Sequence, residues 1–181
     1  FMGTGAWRAK SLGIHGETLG NCHFAVNYLQ NPDVYHLGDR VAVIGSGNSA
    51  MDVARTAIRK GSRYVTIYAR RNGISASERE LEYALMDGCE IQYAKGIHSV
   101  TPEGPMMYDR VFDENQKLIS EGEPYLIPAD STVIAASQAA KDKIVRTTTG
   151  IHFNEKGLVK VDENGMTDRD GVFSAGDVVF G

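Results

Sequence analysis

Residues 41–44 form an unbroken apolar stretch of valine, alanine and isoleucine, which reads as a strand covered on both faces, as at the centre of a parallel sheet. The period then changes. Ala50, Val53, Ala54, Ala57 and Ile58 recur at i, i+3, i+4, i+7 and i+8, one apolar face of a helix, and Gly61 supplies its stop. Residues 64–68 read as a second strand, so the segment predicts a βαβ unit of about 30 residues. Ser77 and Glu80 make a capping box for a second helix with Leu81, Ala84 and Leu85 on one face and Gly88 as terminator; residues 89–93 follow as a third parallel strand. From 97 to 128 short alternating segments lie between turn residues. They predict an antiparallel meander over 106–112, 117–119 and 125–127, laid on the parallel sheet. Residues 131–135 return to buried parallel strand, and 158–161 and 171–175 are expected to add strand material. Ahead of the unit, residues 1–7 read as the end of a strand and a tight turn. Residues 22–29 carry a helical pattern, broken at Asn31 and Pro32.

The junction between the first strand and helix carries the chemistry. Residues 45–50 read Gly-x-Gly-x-x-Ala, a dinucleotide phosphate cradle when it lies between a strand and a helix. Gly45 permits the sharp reversal, Gly47 lets the main chain approach a pyrophosphate, and Ala50 is small enough for the helix to pack on its strand. Ser46, Asn48 and Ser49 complete the turn. The N–H groups of residues 47–50 are expected to face the phosphates, helped by the helix dipole. Taken alone the spacing is weak, because 20 glycines in 181 residues produce such turns by chance. The alternative is a purely structural glycine turn; the strand before it and the helix after it favour the cradle.

The exit of the second strand bears on which nucleotide is held. An acidic residue about 20 positions after the glycines would bind the ribose 2′-hydroxyl of NAD, whereas arginine suits a 2′-phosphate. Here Arg70 and Arg71 stand at that exit with no acid beside them. A guanidinium pairs bidentately with phosphate, so NADP(H) is expected in preference to NAD(H). Two solvated arginines on a loop are the alternative.

Composition narrows the partners. A formal net charge of −4, with 42% hydrophobic and 23% charged residues, offers no basic face for nucleic acid and no apolar run of membrane-spanning length. Small molecules are the expected partners. Cys22 and Cys89 are too few and too far apart for a disulfide framework, a zinc site, an iron–sulfur cluster or a Cys-x-x-Cys redox pair, which fits the cytoplasm and buried thiols. His15, His23, His36, His98 and His152 do not fall at metal-ligand spacing. No nucleophile motif supports hydrolysis, and no Tyr-Lys pair or acid–base group supports a direct NADP-dependent dehydrogenase. No catalytic or metal residue is therefore assigned. Glu78, Glu80 and Glu82 are read as a solvated helix face. The chain starts at Phe1 and stops directly after an apolar strand, as if cut from something longer.

With these pieces located, the chain resembles the two-dinucleotide flavoprotein reductases, and most closely the small-subunit (β chain) family of NADPH-dependent glutamate synthase. Residues 43–56 follow that family's Val-Ile-Gly-x-Gly-Asn-(Ser/Thr)-Ala-Met-Asp-x-Ala-Arg-Thr almost throughout. Tyr68 to Arg71 match its Tyr-x-Arg-Arg, and 171–177 its Gly-Val-Phe-x-Ala-Gly-Asp. The resemblance implies a nicotinamide domain inserted into a FAD domain. Thr4 and Gly5, and then Gly176 and Asp177, would belong to the flavin half, with Asp177 bonding the flavin ribityl chain. It implies FAD in the full-length protein, with NADPH, the remainder of the FAD domain, and an iron–sulfur or other acceptor domain or subunit as partners.

The expected fold is therefore α/β: a Rossmann-like three-layer nucleotide-binding domain with a parallel sheet, an antiparallel β-meander and flanking remnants of a FAD domain. The expected division is 1–36, the end of a FAD-domain segment with a connecting helix; 37–145, the NAD(P)H-binding domain; and 146–181, the return to the FAD domain. Two departures stand out. Residues 74–76 read Ile-Ser-Ala where the family has Met-Pro-Ala, and Ser137 replaces a glycine near the cofactor. The function expected is passage of a hydride from NADPH to FAD. A non-catalytic NADP(H) sensor or scaffold is the rival, and a FAD fingerprint about a hundred residues upstream of Phe1 would favour the reductase.

Overall fold

The computed structural model describes every residue except Trp7, Ser137, 140–146, Lys156 and Gly181, so the departure at Ser137 lies outside the described residues. In chain order the elements are β1 (Arg8–Ala9), β2 (Cys22–Phe24), α1 (Ala25–Gln30), β3 (Arg40–Ile44), α2 (Asn48–Arg59), β4 (Tyr64–Tyr68), α3 (Glu78–Met86) and β5 (Glu90–Gln92). Then follow β6 (Lys95–Thr101), β7 (Gly104–Phe112), β8 (Leu118–Glu121), β9 (Tyr125–Leu126), β10 (Ser131–Ile134), β11 (Gln138–Ala139) and α4 (Asp177–Phe180). Contacts divide the chain into two compact units, Ser11–Ala136 and the paired segments Phe1–Lys10 and Ser137–Gly181.

In the larger unit five parallel strands run in the order β2-β10-β3-β4-β5, with α2 and α3 as the crossovers. The two-residue period of β3 explains its unbroken apolar run. Val41 and Val43 join Ala50, Val53, Ala54, Ala57, Val65 and Ile67 in a core against the helices. Ala42 and Ile44 turn the other way and pack with Tyr68, Met107 and Ala129. Met107 belongs to the antiparallel set β6–β9, so helices, parallel sheet and meander form the three expected layers. Both faces of β3 are thus apolar interfaces, and a side chain as enclosed as Val43 contributes about 1.5–3 kcal/mol.

Three expectations change. Residues 22–24 are strand rather than helix, because Thr132, Val133 and Ile134 pair with them and add a sheet edge; the helix starts only at Ala25. Residues 158–161 and 171–175 form no ladder, only the isolated bridges Phe153 to Val159, Met166 to Phe173 and Met2 to Ser174. Glu80 does not belong to a freely solvated face. It accepts from Arg55 Nη1 at 3.1 Å, while Arg55 Nε reaches Asp87 at 2.9 Å, tying α2 to α3. The hydrogen bond from Arg55 holds the Asp87 carboxyl below its usual range.

Ala94, in the turn from β5 to β6, sits at φ 54, where a Cβ is strained. Its N–H donates to Arg71 O at 3.1 Å and its carbonyl accepts from Arg110 N at 2.8 Å, so both bonds hold it there. Ala94→Gly removes a strain of about 1–2 kcal/mol and adds about 0.5–1 kcal/mol of unfolded-chain entropy. Net stabilisation of roughly half a kcal/mol is expected in urea unfolding; a destabilised variant would contradict it.

The smaller unit packs around Ile151, Val159 and Val178. Met2 N donates to Phe173 O at 2.7 Å, and Met2 O accepts from Ser174 Oγ at 2.9 Å. Its β1 and β11 pair antiparallel.

Candidate dinucleotide site

The site begins where β3 ends. Gly45 has φ 147, and a Cβ there would lie 2.6 Å from Ala135 O, so both backbone angle and space demand glycine. Its N–H donates to Tyr68 O at 3.1 Å, which locks the turn to the exit of β4. Gly47 is the N-cap of α2 with an extended backbone and provides no capping side chain, and the first helical turn carries no acid. Among the described residues no acceptor takes the N–H of Gly47 or Asn48. These are the donors an anion at a helix N-terminus uses. Ala50 plays a different part from the one expected of its N–H. That group donates to Gly47 O at 2.9 Å, and the residue is fully enclosed, so it serves packing.

The arginine loop is fastened to this turn. Ser46 O accepts from Ser75 N at 2.9 Å and from Ala76 N at 2.8 Å, the Ser46 and Ser75 hydroxyls lie 3.2 Å apart, and Asn48 Oδ1 accepts from Ser77 N at 3.0 Å. Ser75 stands where the family pattern has proline, which has no N–H to donate. The departure therefore adds a bond between the two halves of the site. Ser46, Arg70, Arg71, Ser75, Arg110 and Phe112 line one cleft of about 740 Å³. Arg70 and Arg71 are exposed, and among the described residues neither forms an ion pair. Arg110 is the cation that sequence reasoning missed. It lies 40 residues from Arg70, bonded to Arg70 O and to Glu121, in a meander that carries no nucleotide motif of its own.

In the smaller unit the parallel bridge of Met2 with Ser174 joins the two segments that carry the four flavin-side positions. Gly5 and Gly176 have φ 64 and 81. Thr4 Oγ1 is buried and has no hydrogen-bond partner among the described residues. That orphaned hydroxyl suits a polar ligand contact, and Asp177, which follows Gly176, is exposed. These residues fit a flavin contact in part, and the glycine turn with the arginine loop fits a phosphorylated dinucleotide.

The thiols take no part. Cys22 and Cys89 are buried and free, in different core clusters, and burial pushes each thiol from 9.0 to about 11. The neutral form is thus favoured in the folded state. The stability that this contributes is complete below pH 9.0 and is lost as pH rises through about 11. Both thiols are expected to resist iodoacetamide at pH 8 until denaturant is added; rapid native alkylation, mapped by mass spectrometry, would refute their inertness. Among the described residues no group of His, Cys, Asp and Glu could hold a metal, and no helix is long and apolar enough to cross a membrane.

A glycine turn at the carboxyl end of a central parallel strand, opening a helix, defines a Rossmann-type dinucleotide-binding class. The chain belongs to the pyridine nucleotide-disulphide oxidoreductase family, whose match covers residues 1–181. It is 31% identical over 211 aligned positions to the glutamate synthase [NADPH] small chain of Halomonas elongata, covering 100% of this chain and 44% of that protein. Against the same-named protein of Azospirillum brasilense it is 28% identical, covering 99% of this chain and 43% of the relative. The resemblance read from residues 43–56 is thereby borne out, and the chain spans less than half the length of these relatives. The fold superimposes on T. acidophilum thioredoxin reductase with a TM-score of 0.72 at 21% identity, over 97% of this chain and 55% of that one.

Proposed function

We propose that this chain is the NADPH-binding domain of a flavin-dependent oxidoreductase in which NADPH passes a hydride to FAD, as in the glutamate synthase small chains it resembles. The observation that carries the reading is the bonding of the glycine turn to the arginine loop through Ser46, Asn48, Ser75 and Ser77. The turn then offers main-chain donors for a pyrophosphate, and the loop two guanidinium groups that form no ion pair among the described residues, for a 2′-phosphate. FAD supplies the two-electron acceptor when bound. The residues of this chain bind and orient; hydride transfer asks no acid or base of them, in keeping with the absence of an assigned catalytic group. Gly45 shapes the turn, Ser46, Gly47, Asn48 and Ser49 hold the phosphates, Ala50 seats the helix, and Arg70 and Arg71 select NADP(H).

Of the nicotinamide half, read as 37–145, residues 37–136 fall in the larger unit together with residues 11–36. The flavin half draws on Thr4, Gly5, Gly176 and Asp177 in the smaller unit. We place the protein in the cytoplasm, with an iron–sulfur or other acceptor domain or subunit receiving the electrons.

The test is a visible spectrum of the intact protein followed by anaerobic titration with NADPH. Bound flavin that bleaches on addition of NADPH is the expected result. The 181 residues alone are expected to bind NADPH without retaining FAD, because four flavin-side residues do not replace the βα turn a second dinucleotide needs. A stoichiometric FAD complex of the isolated chain would overturn that division. NADPH binding without any flavin reduction in the intact protein would leave the sensor reading.

A further inference from the structure

We propose that Arg110 of β7 is a positioning residue for dinucleotide specificity: it holds the peptide that follows Arg70 so that the arginine pair stays aimed at a 2′-phosphate. The inference rests on the NADPH reading above and extends it to a residue outside the nucleotide motifs.

The side chain of Arg110 is only 6% exposed. Burial of a guanidinium is costly unless its charge and donors are met, and a hydrophobic residue would serve packing as well or better. Here the contacts of Arg110 meet both needs. Nε donates to Glu121 Oε1 at 2.9 Å, Nη1 donates to Arg70 O at 3.1 Å, and the guanidinium lies 5.1 Å from the Phe112 ring centroid. With its charge met by Glu121 and its head enclosed, Arg110 is not the phosphate ligand. Arg70 and Arg71, exposed on the same cleft, are.

What Arg110 controls is backbone. Rotation of the 70–71 peptide would swing both guanidinium-bearing side chains, and a charge-assisted bond to its carbonyl opposes that rotation. The next carbonyl is held from the same strand by a relay: Arg110 N donates to Ala94 O at 2.8 Å, and Ala94 N donates to Arg71 O at 3.1 Å. The far end of the loop is bonded to Ser46 and Asn48. A loop held at both ends loses less freedom when the phosphate binds. NADH, which has no 2′-phosphate, gains little from that order.

The experiment measures NADPH and NADH dissociation constants for variants of the intact protein, with thermal midpoints as a check on folding. Arg110→Met keeps length and the contact with Phe112 but removes the donors. NADPH affinity is expected to fall about tenfold while NADH affinity stays within about twofold. Arg110→Lys, which keeps the charge beside Glu121 without the two-armed donor, should fall between. Glu121→Gln retains an acceptor oxygen and should keep the preference, whereas Glu121→Leu should copy Arg110→Met; this pair decides the matter if Arg110→Met fails to fold. Equal weakening of both nucleotides would show a merely structural role, and no change would show none; either overturns the inference. If wild type binds both nucleotides equally, the NADPH reading falls and takes this inference with it. If wild type prefers NADPH and Arg70→Ala erases the preference while Arg110→Met leaves it, only the positioning role falls.

Discussion

Gly47→Val is expected to weaken both NADPH and NADH by more than about 100-fold, or ~2.7 kcal/mol, while the protein remains folded. The two halves of this expectation have separate physical sources. A Cβ at position 47 meets nothing closer than Ser75 Oγ at 3.7 Å, and the backbone there is extended, so the free protein accommodates the side chain. Exchange of a glycine N-cap for valine costs about 1 kcal/mol or less. The branched side chain instead fills the space a pyrophosphate needs for close main-chain approach. Gly45→Ala should behave in the opposite way. Its Cβ would press on Ala135 O from 2.6 Å at φ 147, so a loss of at least about 2 kcal/mol in stability is expected. Calorimetric titration and thermal unfolding of the two variants separate the effects. A Gly47→Val protein that binds NADPH like wild type would mean the turn is not the phosphate site.

Arg70→Ala and Arg71→Ala carry the second large effect. Each should weaken NADPH by about 1.5–3 kcal/mol, the worth of a charge-assisted hydrogen bond, and leave NADH nearly unchanged. Both side chains are exposed and form no ion pair among the described residues, so their removal breaks no internal contact and stability should hold. The selectivity should also shrink as salt is raised, since exposed charges are screened over roughly 8–10 Å at ordinary ionic strength. Equal NADPH and NADH affinity in the wild type, measured by calorimetry, would end the assignment of these arginines to a 2′-phosphate.

The contrast between Arg70 and Arg110 shows what kind of information a single sequence holds. Arg70 could be assigned because it stands at a characteristic distance after a glycine turn, within one local βαβ unit. Arg110 could not, since its partner lies 40 residues away and nothing in the pattern of β7 distinguishes it from other charged strand positions. Ser75 is intermediate. It was visible as a departure from the family pattern, but its bonds to Ser46, 29 residues earlier, became apparent only when the loop had folded back. Residues 22–24 failed for a related reason: their local period suits a helix, and pairing with β10 more than a hundred residues later overrides it.

By itself the sequence determined the β3–turn–α2 unit, because strand burial, the special angle at Gly45 and the apolar face of α2 are properties of neighbouring residues. It also put the arginine pair at the exit of β4 and supplied only two cysteines, far apart. Only the tertiary structure decided that Glu80 and Asp87 bind Arg55, that Arg110 reaches Arg70 O, and that Ser75 N donates to Ser46 O. Those are outcomes of long-range packing, in which a side chain's role depends on which distant carbonyl, carboxylate or methyl group arrives beside it, and no local periodicity encodes that arrival.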